Sequence, residues 1–249
     1  MARFDNKVVV VTGGTSGIGL ATAKAFADEG ASVFITGRRQ EALDAAVAQL
    51  GSKVIGVRGD MSVLADIDRL YDAVQQKHQQ IDVLFVNAGG GTMLPLGAIT
   101  EDQYSQTFDT NVKGTIFTVQ KALPLLKDGA AIVLTSSNAG TSGTPAFSVY
   151  SASKAAIRNL ARSWILDLKD RRIRVNVVSP GPTDTDALTE VFGGGDQAQG
   201  IKDYLTTQIP AGRIGRPDEV AKAVLFLASD ESSFVNGAEL FVDGGITQI

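Results

Sequence analysis

Seven short apolar runs rich in β-branched residues recur along the chain, and longer amphipathic stretches lie between most of them. The runs are KVVVVTG (7–13), SVFITG (32–37), KVIGVRG (53–59), VLFVNAG (83–89), AAIVLTSS (130–137), IRVNVVSPG (173–181) and AELFVDGG (238–245). Most are apolar at consecutive positions, the pattern of strands buried on both faces. The intervening GLATAKAFADEG, EALDAAVAQLG and VLADIDRLYDAVQQK carry apolar residues three and four apart, as helices do. VKGTIFTVQKALPLLK and SASKAAIRNLARSWILDLK continue the pattern, and GRPDEVAKAVLFLASD starts a helix on a proline with Asp218 and Glu219 in its first turn.

Strand and helix in alternation predict an α/β fold: a doubly wound, seven-stranded parallel sheet of the Rossmann type, with helices on both faces. A length of 249 residues, 44% of them hydrophobic, suits a single domain spanning 1–249. The segment 186–204, with three consecutive glycines after a possible short helix, reads as a mobile substrate lid.

Composition removes several function classes. Lys and Arg number 23 against 27 Asp and Glu, a net charge of -4 spread along the chain, which argues against a nucleic-acid surface. Cysteine is absent, so thiol catalysis and Cys-based metal sites are excluded, and a single histidine, His78, leaves no transition-metal site in prospect. His78 itself, in QQKHQQ, reads as solvated, and Trp164 and Phe226 as packing residues. No apolar run approaches the ~20 residues of a membrane span, nor is there a signal-like start, so the expected location is the cytoplasm.

The first run passes through TGGTSGIG into a helix, with Gly13, Gly17 and Gly19 spaced G-x-x-x-G-x-G. Missing side chains admit a pyrophosphate to the backbone, and the helix N-terminus offers N–H groups and a positive dipole end. Thr15 and Ser16 add hydroxyls, and Ile18 lies in the same turn. The second strand ends ITGRRQEAL. An NAD site places a carboxylate there for the ribose 2′-OH, whereas this chain has Arg38 and Arg39, which suit a 2′-phosphate. The expected cofactor is NADP(H), the plain alternative being two solvated arginines. Asp60 closes the third strand, where its carboxylate can meet an adenine amino group, with Met61 beside it. Asn87, Ala88 and Gly89 close the fourth with small residues along a cofactor's path.

TGGTSGIG (12–19), NAG (87–89), Asn111 in DTNVKG, TSS (135–137), YSASK (150–154) and PGPTDT (180–185), in this order, resemble the short-chain dehydrogenase/reductase family along essentially the whole chain. Within it the chain looks most like NADPH-dependent ketone reductases and secondary-alcohol dehydrogenases, with 3-oxoacyl-carrier-protein reductases as near relatives. The resemblance implies hydride transfer between NADP(H) and a ketone or alcohol, with Tyr150 as general acid/base. Lys154, four residues on and so on the same helix face, lowers the phenol's pKa with the oxidised nicotinamide and binds the nicotinamide ribose. Ser137 orients the carbonyl, with Ser136 its competitor, and Asn111 holds a water in the proton relay. Pro180, Gly181, Thr183 and Thr185 line the nicotinamide. The resemblance further implies a homotetramer, and leaves open a structural Mg²⁺ near the C-terminus. Gly90, Gly91, Gly140 and Gly143 suggest room for a bulky ketone. Two other readings remain: a 3-oxoacyl-thioester reductase with Lys113, Lys121 and Lys127 at its entrance, and a non-catalytic dinucleotide sensor.

Overall fold

The computed structural model describes residues 2–248. Its centre is one parallel sheet in the order β3-β2-β1-β4-β5-β6-β7. The strands are β1 (Val8–Val11), β2 (Ser32–Gly37), β3 (Val54–Arg58), β4 (Ile81–Val86), β5 (Leu126–Thr135), β6 (Arg174–Pro180) and β7 (Glu239–Val242). All seven fall within or against the runs read from the sequence. Period-two alternation divides their side chains between two cores. Val8 and Val10 face one, Val9 and Val11 the other.

One face packs on α3 (Leu64–Lys77), α5 (Gly114–Ala122) and α6 (Ser148–Asp167) through Ile67, Leu70, Val119, Ile157 and Ala161. The other packs on α1 (Gly17–Asp28), α2 (Gln40–Leu50) and α9 (Pro217–Ala228) through Phe26, Leu43, Ala46, Val220 and Val224. α9 starts on Pro217 as expected, and Glu219 reaches back to the Arg216 N–H at 2.8 Å.

Four local differences from the sequence reading have physical causes. A helix α4 (Glu101–Phe108) precedes α5 unannounced, although Thr100 caps it by accepting from the Gln103 N–H. Between α4 and α5 the chain widens into one π-turn, Asp109–Lys113. α5 stops at Ala122 because Pro124 has no N–H to donate, so PLLK becomes a turn and the start of β5. Most of the lid is regular: α7 (Asp186–Val191) and α8 (Gly195–Gln208), joined by Gly193, Gly194 and Gly195, all at positive φ.

Two side chains also differ from expectation. His78 is half-buried, its ring edge-on to Phe34 at 5.8 Å between centroids. Phe226 is exposed, since the buried stripe of α9 runs through Val220, Val224, Leu225 and Leu227 and leaves position 226 outside it; Trp164 does pack on the core.

Strand order reverses between β1 and β4, which opens a crevice at their carboxyl ends. There α1 comes so close to the end of β1 that a methyl group on Gly19 would lie 2.0 Å from the Gly13 carbonyl oxygen. Gly19→Ala is therefore expected to cost about 3 kcal/mol of stability. Denaturant unfolding measures it, and an unchanged midpoint would mean that α1 can shift off the sheet freely.

Candidate active site

The turn after β1 is organised by side chains that leave α1's N-terminus free. Thr12 Oγ1 accepts from the Asn87 and Ala88 N–H groups at 2.9 and 3.0 Å, and Thr36 Oγ1 accepts from Gly13 N at 3.1 Å. Asn87 Nδ2 donates to the Thr12 and Gly13 carbonyls, each at 3.2 Å. Gly13 and Gly17 both sit at positive φ. Ser16 is the N-cap residue, in extended conformation and with no side-chain cap, and no acidic residue lies in the first turn of α1. This is a helix end whose first N–H groups no side chain caps, the arrangement that takes a phosphate group. Thr15 packs beneath Gly37, where a methyl group would lie 2.4 Å from its Cγ2.

Arg38 and Arg39 are exposed at the end of β2, neither in an ion pair among the described residues. A third guanidinium joins them that the sequence reading missed. Arg58, opposite Gly37 in the β2–β3 register, donates from Nε to the Arg38 carbonyl at 3.2 Å. The register of KVIGVRG against SVFITG is the signal that would have found it. Asp60 turns the chain after β3, Oδ1 accepting from the Ser62 N–H and hydroxyl at 2.9 and 2.7 Å, and Met61 is buried beside it.

On the other side of the crevice, Gly181 lies against Asp243, with no space for a side chain. The Thr183 hydroxyl donates to the Gly181 carbonyl at 3.0 Å. Thr185 caps α7 by accepting from Leu188 N, and its methyl covers Gly17. The Pro180–Thr185 loop thus closes over the glycine turn. Lys202 on α8 pairs with Asp184 at 2.8 Å and ties the lid segment to that loop.

The chemical centre forms where the end of β5, the loop after β4 and the first turns of α6 meet. Lys154 is 4% exposed, and its Nζ donates to the Thr135 carbonyl at 2.9 Å. Burial pulls its pKa down to about 8. Its ammonium is 5.6 Å from the centre of the Tyr150 ring. A methyl group on Gly89 would lie 2.9 Å from Asn111 Oδ1 and 3.1 Å from Lys154 Nζ, so only glycine leaves both atoms clear.

The two serines divide. Ser136 Oγ donates to the Lys154 carbonyl at 2.8 Å, bracing α6, while Ser137 Oγ accepts from the Ala139 N–H at 3.2 Å and lies close enough to the Tyr150 phenol to draw its pKa down.

Two features add to the expectations here. Burial raises the pKa of Tyr150 and Ser137 opposes it only in part, so without a dinucleotide the chain favours the protonated phenol. The Asn111 side chain is engaged throughout: Oδ1 accepts from Gly90 N at 3.0 Å, and Nδ2 donates to the Gly90 carbonyl and to Ser153 Oγ, each at 2.9 Å. It brackets the loop after β4 to α6, and its main-chain carbonyl accepts the Thr115 hydroxyl at 2.6 Å. The small residues also separate. Gly91 packs on the Tyr150 ring and Gly140 on α6, so neither adds pocket space, while Gly90 and Gly143 are open.

An uncapped helix end at a sheet's switch point, with a buried ammonium and a phenol at the same carboxyl edge, suits a dinucleotide-dependent oxidoreductase. The profile of the family described as Enoyl-(Acyl carrier protein) reductase matches residues 13–247. Oxidoreductase asL5 of Sarocladium schorii is 51% identical, over 99% of this chain and 98% of its own. The NADP-dependent (R)-specific alcohol dehydrogenase of Lentilactobacillus kefiri is 35% identical, over 98% of both chains. The 3-oxoacyl-[acyl-carrier-protein] reductase of Thermotoga maritima is 36% identical, over 98% of this chain and 99% of its own. A solved short-chain dehydrogenase/reductase from Brucella melitensis, titled a glucose/ribitol dehydrogenase, superposes with a TM-score of 0.92 at 32% identity, covering 98% of each chain. The chain belongs to the short-chain dehydrogenase/reductase family and is an oxidoreductase.

The buried ammonium also affects stability. Unfolding returns the Lys154 pKa from about 8 to its ordinary 10.5. Below pH 8 both states carry the charge and only the folded one holds it away from water, so the penalty is full there; it fades as pH rises from 8 to 10.5. Lys154→Met removes this penalty and also leaves the Thr135 carbonyl without its donor, so the pH dependence is the test: relative to the parent, the cofactor-free variant is expected to be favoured more at pH 7 than at pH 10, the advantage shrinking above pH 8. Chemical denaturation at pH 7 and pH 10 tests this, and an equal difference at both would refute it.

Proposed function

We propose that this protein reduces ketones to secondary alcohols with NADPH, and runs the reverse reaction with NADP⁺. The carrying observation is the Tyr150 ring with the buried Lys154 ammonium 5.6 Å from its centre and Ser137 beside its phenol, in surroundings that favour the protonated phenol. The dinucleotide, when bound, supplies the hydride. The Ser137 hydroxyl donates to the substrate carbonyl oxygen and orients it, and Tyr150 delivers its phenolic proton to that oxygen as negative charge develops there. Lys154 stabilises the phenolate left behind and binds ribose hydroxyls. Asn111 holds the loop after β4 in place, and its main-chain carbonyl, which accepts the Thr115 hydroxyl and keeps a second lone pair, holds the water of the proton relay.

Gly13, Thr15, Ser16, Gly17, Ile18 and Gly19 take the pyrophosphate, and Asp60 with Met61 takes the adenine. Asn87, Ala88 and Gly89 flank the ribose. Pro180, Gly181, Thr183 and Thr185 hold the nicotinamide. Arg38 and Arg39, with no carboxylate beside them on β2, favour the 2′-phosphate and therefore NADP(H). The α7–α8 segment serves as the substrate lid, hinged at Gly193–Gly195. Small-molecule substrates fit this site. No helix among the described residues is long and apolar enough to cross a membrane. A homotetramer is proposed on family resemblance, with β7, a half-buried edge strand, in one interface.

The 3-oxoacyl-thioester reading has a relative behind it, and it needs a basic entrance for an acidic carrier. Lys113, Lys121 and Lys127 do not supply one, since each is paired, with Asp109, Asp68 and Asp82 respectively. The dinucleotide-sensor reading has to explain why both Tyr150 and Lys154 are retained.

Loss of reduced-nicotinamide absorbance, followed with NADPH and NADH against aryl ketones and an acetoacetyl thioester, separates these readings. Ketone turnover with NADPH supports the proposal, thioester preference transfers the chain to acyl reduction, and tight binding without turnover leaves the sensor. Tyr150→Phe is expected to bind NADPH normally and lose at least ~100-fold in turnover. Arg38→Asp is expected to move cofactor preference towards NADH, and an unchanged ratio would remove Arg38 from the phosphate site.

A further inference from the structure

Two consecutive residues before the catalytic helix break local rules. Phe147 occupies the N-cap position of α6, where Ser, Thr, Asp or Asn would satisfy a free N–H, and it makes no side-chain cap. Ala146 before it sits at φ 60°, a left-handed conformation unfavourable for a residue with a Cβ. This turn is tied down at a second point, because the Ala146 carbonyl accepts from Leu94 N at 2.8 Å. Such departures persist where something else is gained.

The gain is visible at Tyr150. The Phe147 ring lies parallel to the phenol, centroids 4.3 Å apart and planes 18° from each other. Gly91 presses on the same phenol from the loop after β4: a methyl group there would lie 2.6 Å from Cδ2 and 3.0 Å from Cβ. A stacked ring on the phenol and a backbone segment against its Cβ and Cδ2 together leave the side chain little freedom to swing about its Cα–Cβ bond, the rotation that would carry the hydroxyl away. We propose that Phe147 is a positioning residue for Tyr150, stacking on the phenol to hold its hydroxyl at the angle from which it meets Ser137 and the substrate oxygen.

The left-handed Ala146 and the uncapped α6 end are then the local cost of presenting an aromatic face there. A polar cap at position 147 would satisfy the helix and leave the phenol free to rotate. The inference rests on the reading of Tyr150 as the proton donor, and the experiment separates the two.

Phe147→Leu keeps an apolar side chain and removes the stacking face, whereas Phe147→Tyr keeps the face. The leucine variant is expected to lose roughly tenfold in kcat for ketone reduction, since small misplacements of a reacting group carry penalties of this order or more. KM for the ketone and NADPH affinity, read by nucleotide fluorescence, should stay within about twofold. Phe147→Tyr should restore kcat to near the parent value. If the leucine variant does not fold, Phe147→Met, of similar bulk and without a stacking face, takes its place. Three results overturn the proposal: an unchanged kcat in the aliphatic variant, an equal loss in Phe147→Tyr, or a change confined to the ketone KM, which would make Phe147 a pocket wall. Tyr150→Phe run alongside isolates the underlying reading. If that variant retains turnover, the proton-donor assignment fails; if it loses turnover while Phe147→Leu does not, only the positioning role fails.

Discussion

An ammonium kept almost wholly from water by one main-chain oxygen is the constraint around which this molecule is arranged. Lys154 cannot be moved to the surface without losing the Thr135 carbonyl, and it cannot stay inside unless its neighbours make space and hold still. Gly89 makes the space by having no side chain. Asn111 holds the loop that contains Gly89, bonding both the N–H and the carbonyl of Gly90. Ser136 fixes α6 at the lysine's own carbonyl. The π-turn at Asp109–Lys113 belongs to the same arrangement: it interrupts one long helix where Asn111 must face α6 and the loop together.

The same environment acts oppositely on the two titrating groups. Burial disfavours whichever form is charged, so it lowers the lysine and raises the phenol. The chain alone therefore favours a neutral phenol, the state that delivers a proton, and tends to weaken the ammonium. Fixed positive charge arriving with a dinucleotide would lower the phenol towards the range needed for proton abstraction from an alcohol. Under the proposed function, such a site would be poised by its own residues for reduction and would depend on the state of its cofactor for oxidation.

Elements with strong local signals were legible in the sequence. Buried parallel strands carry near-continuous valine and isoleucine, and all seven were placed to within a few residues. The glycine turn was legible because strand, glycines and helix follow one another. Other features depend on three-dimensional encounters that no local pattern records. Arg58 becomes a neighbour of Arg38 through the β2–β3 register. Gly91 and Gly140 look like open space in the chain and prove to be contact points for Tyr150 and α6. The phenol's pKa direction depends on how neighbouring elements cover it, which spacing does not report. α4 was missed for a different reason: its capping pair, Thr100 and Gln103, was present, but its short polar segment lacks the apolar stripe that announces a helix.

Sequence rules were broken where the chemistry is concentrated, and the breaks are consistent with one another. Ala146 in a left-handed conformation and Phe147 at a helix cap each weaken local structure, and Lys154 charged in the interior weakens the fold as a whole. Each is held by contacts from other elements: Leu94 to Ala146, the Tyr150 ring to Phe147, Thr135 to Lys154. Stability supplied by the two apolar cores of the sheet supports these exceptions, since neither core passes through them. A fold whose strength lies in the sheet and whose strain lies at its carboxyl edge can alter residues such as 147 and 91, and with them its reactivity, without putting the architecture at risk.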